Sequence, residues 1–144
     1  MECTVHRLVA DVALVAENRV LFVRYRDTSA YDGQAGWFLP DDYLAHLEHP
    51  DAAARRIVSE QAAGIPVEPR LAEIESFNGG HWHLVFHYVA AVESAGPVEA
   101  TGNVARAEWF PLDALPPADE VAHHGWGLET LGRVLRPTGS IPTA

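Results

Sequence analysis

Between Pro50 and Gly64 the apolar residues fall at helical spacing, in a chain whose other apolar runs mostly read as strands. Ala54, Ile57, Val58, Ala62 and Ile65 would form one buried stripe. Pro50 suits a first helical turn, Asp51 complements the positive end of the helix dipole, and Gly64 closes the run. An amphipathic helix set among strands has to bury its stripe on a sheet.

The flanking segments supply that sheet. "LVADVALV" and "RVLFVRY" read as two strands joined by a turn at Glu17-Asn18. "TSAYDGQAG" (28–36) has loop composition, and "WFLP" reads as a short strand stopped by Pro40. "RLAEIESFNGG" (70–80) is a strand ending in a turn, and "HWHLVFHYVAAV" (81–92) is a strand with clear alternation. After a loop at "ESAGPVEATGN", "RAEWFPL" is the last strand and "EVAHHGWGLETLGRVLR" (120–136) a C-terminal helix. The fold class is α/β (α+β), a helix-sheet sandwich in one domain over residues 1–137, with 138–144 as a loose tail.

At 144 residues the chain is long enough for a core without disulfide or metal staples. Twenty acidic against ten basic residues give a formal charge of −10, which argues against nucleic acid as a partner. The same charge suits a divalent cation or simply an acidic surface. Cys3 stands alone, so no internal disulfide forms, a reducing compartment fits, and no catalytic setting surrounds it. The first residues lack the pattern of a secretory signal, and no apolar run approaches the ~20 residues that span a bilayer. A cytoplasmic protein with no membrane partner is expected. Neither a glycine-rich phosphate loop nor a nucleophile-elbow serine is present.

The helix carries a second pattern. Five residues separate Asp42 from Glu48, seven separate Glu48 from Arg56, and Glu60 follows Arg56 by four. With "GWFLP" (36–40) before it and "AEWFPLDALP" (107–116) after it, this resembles the Nudix box of the Nudix hydrolase superfamily, a loop-helix-loop signature. The order of elements matches over about residues 7–136. The resemblance implies an α/β/α sandwich with a central mixed sheet, an activity on phosphorylated or nucleotide-linked small molecules, and a possible homodimer. It also implies that Glu48 and Arg56 brace the loop against the helix. In that family three carboxylates on the helix hold Mg²⁺ or Mn²⁺. The matching positions here are Ile57, Glu60 and Gln61, the glycines after the proline are Asp41 and Asp42, and Ala63 replaces the box glycine. One carboxylate out of three predicts that the ordinary magnesium cluster does not form.

Eight histidines supply other donors. Strand alternation sets His81, His83 and His87 on one face, and Trp82, Leu84, Phe86 and Tyr88 on a face expected to be core. Residues i and i+2 on a strand lie ~6.6 Å apart, so His81 and His83 are the best pair for one metal, with Glu60 as a third ligand. His87 lies ~13 Å from His83 along a straight strand and is a looser candidate, equally suited to acid-base catalysis. Imidazole donors favour Zn, Fe, Ni or Cu over Mg or Mn. His46 and His49 beside Glu48, and His123, His124 and Trp126, are candidates for the wall of a substrate pocket. Any one of these histidines has a plainer reading as a hydrogen-bonded, pocket-lining or exposed residue, with no metal at all.

Two functions stand side by side at this point. One is a small-molecule enzyme with Glu48, Arg56, Glu60 and His87 as its catalytic residues. The other is a non-catalytic module that binds a metabolite or a partner protein.

Overall fold

The computed structural model describes residues 6–135. Cys3, the expected boundary at 137 and the tail lie outside this range. The strands are β1 (His6–Ala16), β2 (Arg19–Tyr25), β3 (Asp41–Tyr43), β4 (Arg70–Asn78), β5 (Trp82–Ala91) and β6 (Val104–Pro111). The helices are α1 (Pro50–Gln61) and α2 (Ala122–Val134).

β1 organises the sheet. It runs parallel to β5 over its length, antiparallel to β3 at Val9–Asp11, and pairs with β2 only beside their turn. The order is β4-β5-β1-β2-β6, with β3 attached to β1, so the sheet is mixed. Glu17 and Asn18 have φ of 53° and 58°, the left-handed pair that a two-residue hairpin turn requires.

Strand alternation then sorts the side chains between two helices. Ala10, Val12, Leu14 and Tyr88 pack with Ala53, Ala54, Ile57 and Val58 of α1. Ala13, Phe22, Trp37 and Val89 pack with Leu131 and Val134 of α2. The helices therefore cover opposite faces, and the architecture is an α/β/α sandwich. Ile57, Leu14 and Phe22 are fully buried, and side chains of this kind contribute about 1.5–3 kcal/mol each.

Three local expectations change. The "WFLP" segment makes only isolated bridges, Trp37 to Val121 and Phe38 to Val23, and the strand begins after Pro40. Pro40 has no N–H to donate, yet its carbonyl accepts from Val12 at 3.0 Å and leads the chain into pairing. On β5 the histidine side is more deeply covered than the aromatic side: His87 is 0 % exposed and Trp82 is 48 % exposed. The cause is that α2 lies over the histidine face, while Trp82 falls outside the cluster under α1.

The C-terminal helix also starts differently. His123, His124 and Gly125 all have left-handed backbone, with φ of 54°, 57° and 85°, before the helix proper. Such a run is costly for two non-glycine residues and is held by its surroundings. Among the described residues no helix is long and apolar enough to cross a membrane.

Candidate functional site

Arg56 is the hub of the loop-helix segment. Its Nε and one terminal nitrogen donate to both oxygens of Glu48 at 2.9 and 3.0 Å. The other terminal nitrogen donates to Asp42 at 2.9 Å and to Glu60 at 3.0 Å, while the one that meets Glu48 also donates to the Tyr43 carbonyl at 2.9 Å. Glu48 also caps the loop by accepting from Ala45 N–H at 2.9 Å. Hydrogen bonds from Arg56 and Ala45 lower the Glu48 carboxyl below its ordinary range. Three expected residues, Glu48, Arg56 and Glu60, thus meet, and Asp42 joins them. Antiparallel pairing puts Asp42 opposite Ala10, on the α1 side.

The helix face does not fit the divalent cation that the resemblance implies. Ile57 is 0 % exposed and packed in the α1 core. Gln61 donates its amide to the Asp41 carbonyl at 2.8 Å and accepts from the Tyr25 hydroxyl at 2.8 Å. Tyr31 also donates to that carbonyl at 3.2 Å. A neutral hydrogen-bonded cluster takes the place where anionic oxygens would be needed.

Beside this cluster lies a cavity of about 250 Å³ on the α2 side of the sheet. Tyr31, Tyr43, Phe77, His83 and Trp126 provide its rings, and Asp32, Asp41 and Asp42 also line it, the Asp42 carboxylate being held by Arg56. Phe77 stacks on His83 with centroids 4.9 Å apart and meets Trp126 edge to face at 6.2 Å. The left-handed turn builds the far wall: His123 N–H donates to Gln34 at 3.1 Å, and its Nε2 lies 3.0 Å from Asp32. Burial first, then the Asp11 and Asp42 charges, raises the Asp41 carboxyl well above the usual carboxylate range. A second cavity of about 460 Å³ is lined by Tyr25, Tyr31, Asp42, Glu60, Thr101 and Asn103 among others. The two cavities share Tyr31 and Asp42.

The histidines divide. His83 and His123 line the first cavity, as does Trp126, whereas His46, His49 and His124 do not. His49 instead caps α1, its Nδ1 accepting from Asp51 N–H at 3.0 Å. The expected metal group of His81, His83 and Glu60 is not brought together. His83 points its Nδ1 at the His81 carbonyl, 3.0 Å away, and Glu60 is held by Arg56 on α1.

His87 is instead buried between carboxylates. Its Nδ1 lies 2.8 and 2.9 Å from the two Asp11 oxygens, and its Nε2 lies 2.8 Å from Glu75. Burial pulls the imidazole pKa down, but the hydrogen bonds and charges of Asp11 and Glu75 outweigh it, and the net shift is upward. Among the described residues, Glu73, Glu75 and His87 are the one group of three whose ligand atoms lie within 4.8 Å of one another. The donor types suit a transition metal. Arg133, however, already donates to Glu73 at 2.9 Å and to Glu75 at 3.0 Å, so a guanidinium holds the oxygens an ion would use.

Sequence reading missed Asp11, Tyr31, Asp32, Tyr43, Glu73, Glu75 and Arg133. Asp11 had a signal, being a lone carboxylate inside the apolar run "LVADVALV", where burial demands a partner. Glu73 and Glu75 had only their i, i+2 spacing on one strand.

Three comparisons bear on this arrangement. A MutT NUDIX hydrolase from Burkholderia pseudomallei is 23% identical, with a TM-score of 0.69 over 90% of this chain and 98% of its own. An ADP-ribose pyrophosphatase from Streptococcus suis is 19% identical, with a TM-score of 0.61 over 85% of this chain and 87% of its own. An Ap4A hydrolase from C. elegans is 15% identical, with a TM-score of 0.60 over 74% of this chain and 81% of its own. At such identities the likeness is one of fold. No curated protein matches the sequence. The NUDIX domain model matches residues 5–129, nearly the whole described range and the box with its flanks, and the chain therefore belongs to the NUDIX domain family.

Proposed function

We propose that this NUDIX-family chain is a small-molecule enzyme that holds the planar part of a metabolite in the aromatic cavity and acts on the group in the adjoining one. The observation that carries this reading is the junction of the two cavities at Tyr31 and Asp42. One side offers rings for stacking, and the other offers Glu60, with Thr101 bonded to the Glu60 carbonyl and Asn103 bonded to Asp27 in its wall. Glu60, fixed by Arg56, would accept a proton from a water in the second cavity, while Arg56 keeps Asp42 and Glu48 in place. No step is assigned to a helix-bound cation, because Ile57 and Gln61 do not supply its oxygens. Nucleotide-linked metabolites are the class to test first, since structures named for ADP-ribose and Ap4A share this fold.

Turnover of a panel of such compounds, followed with and without Mn²⁺, tests the reading. An active compound should lose about a hundredfold or more in rate in Glu60→Gln, with the melting temperature kept. Ligand-induced thermal stabilisation with no turnover of any compound would replace the enzyme by a metabolite-binding module.

A further inference from the structure

We infer that the aromatic cavity selects a positively charged planar ring. The inference rests on the reading of this cavity as the seat of a planar group, and it adds the charge of that group.

Three observations lead to it. First, the lining combines four aromatic rings, Tyr31, Tyr43, Phe77 and Trp126, with Asp32, Asp41 and Asp42. It contains no arginine, and its basic side chains are His83, stacked on Phe77, and His123, beside Asp32. The chain has no lysine, since all ten of its basic residues are arginines. Ring faces carry negative quadrupole charge, so rings and carboxylates favour the same sign of ligand.

Second, the rings are held from behind and need no reordering to receive a ligand. Tyr31 is stacked on Tyr25 at 3.9 Å, and Trp126 lies 5.6 Å from buried His87. Tyr43 already has a cation over it, the Arg7 guanidinium at 5.7 Å. That contact shows the ring to be a cation acceptor, and Arg7 itself is not part of the lining.

Third, Asp41 is only 8 % exposed and belongs to both this cavity and a small void under Trp126. Its main-chain carbonyl is spent on Tyr25, Tyr31 and Gln61. Burial and the neighbouring carboxylates Asp11 and Asp42 raise its own carboxyl. Asp42 already meets Arg56 at 2.9 Å and Asp32 lies 3.0 Å from His123. Among the described residues Asp41 has no cationic partner, so a cation in the cavity supplies a counter-charge there. An anionic ring substituent would instead share the cavity with the carboxyl groups of Asp32 and Asp41.

Binding measured by calorimetry with two matched pairs tests the charge: 1-methyladenosine against adenosine, and 1-methylnicotinamide against nicotinamide. Within each pair the ring is kept and a methyl group brings the positive charge. The cation of at least one pair should bind about tenfold more tightly than its neutral partner. Asp32→Asn should narrow that ratio severalfold, weakening the cation of a pair more than its neutral partner. Asp32 is exposed with φ of 58°, a conformation asparagine tolerates, so this variant keeps the fold. Neutral partners binding as tightly as the cations in both pairs would overturn the charge selectivity and leave the planar-ring reading standing. No binding by any of the four compounds would overturn both.

Discussion

Gln61 donates its side-chain amide to the main-chain carbonyl of Asp41 at 2.8 Å, across the loop that leads into α1. A carboxylate at position 61 could not make this bond, because it has no hydrogen to give. The glutamine therefore does more than lose a charge. It ties the loop to the helix with a neutral bond where family resemblance implies a bound cation.

This relationship predicts the response to metal. Adding Mg²⁺ or Mn²⁺ should leave the melting temperature of the native chain unchanged. Gln61→Glu should cost about 1–3 kcal/mol in metal-free buffer, because two buried acceptors would then face each other. Mn²⁺ should recover part of that loss. Denaturant titrations of both proteins with chelator or Mn²⁺ provide the check, and metal-dependent stabilisation of the native chain alone would sink the idea.

A second prediction concerns His87, which is fully buried between Asp11 and Glu75. Its pKa is raised in the fold, so the folded protein keeps a proton that the unfolded chain releases near pH ~6.5. The stabilisation from this proton is complete below that value and is lost as pH rises through the folded pKa. Stability should therefore fall on the alkaline side, and the slope should shrink in His87→Gln. Removing the imidazole also takes away the partner that offsets burial of the Asp11 carboxyl, so Asp11 takes up a proton and the variant should lose about 1–3 kcal/mol near pH 6. Urea denaturation across the pH range measures both effects.

Arg56 offers a third test. Its two parallel hydrogen bonds to Glu48 depend on the planar guanidinium, which lysine cannot copy. Arg56→Lys should cost about 2 kcal/mol by denaturant titration, and should reduce any activity by more than the same change at exposed Arg55.

The left-handed turn before α2 gives the fourth. Gly125 has φ of 85°, and a Cβ there would lie 3.0 Å from the Ala118 Cβ. Gly125→Ala should destabilise by about 1–3 kcal/mol. His124 is exposed with φ of 57°, so His124→Gly should be neutral or stabilising by up to about 1 kcal/mol. Thermal melts separate the two outcomes by sign.

Local periodicity made much of the scaffold legible. The residues chosen for the α1 stripe include Ala54, Ile57, Val58 and Ala62, all of them buried, and β2 spans the same seven residues that its sequence suggested. Glu48, Arg56 and Glu60 were legible for a related reason. They lie within one loop and one helix, where sequence spacing largely fixes distance.

The sequence by itself determined most of the strand and helix segments, the family resemblance, and the loss of two helix carboxylates. Only the tertiary structure decided what stands in their place. Asp11, Glu75, His87 and Arg133 come from four elements, and their contacts depend on the sheet order and on which face α2 covers. Spacing along β5 likewise brought His81 and His83 close, yet it could not tell that His83 faces Phe77 and Trp126 across from α1 and Glu60. The cavity depends on the same long-range pairing, together with a backbone turn at residues 123–125 whose cost is borne by the surrounding fold.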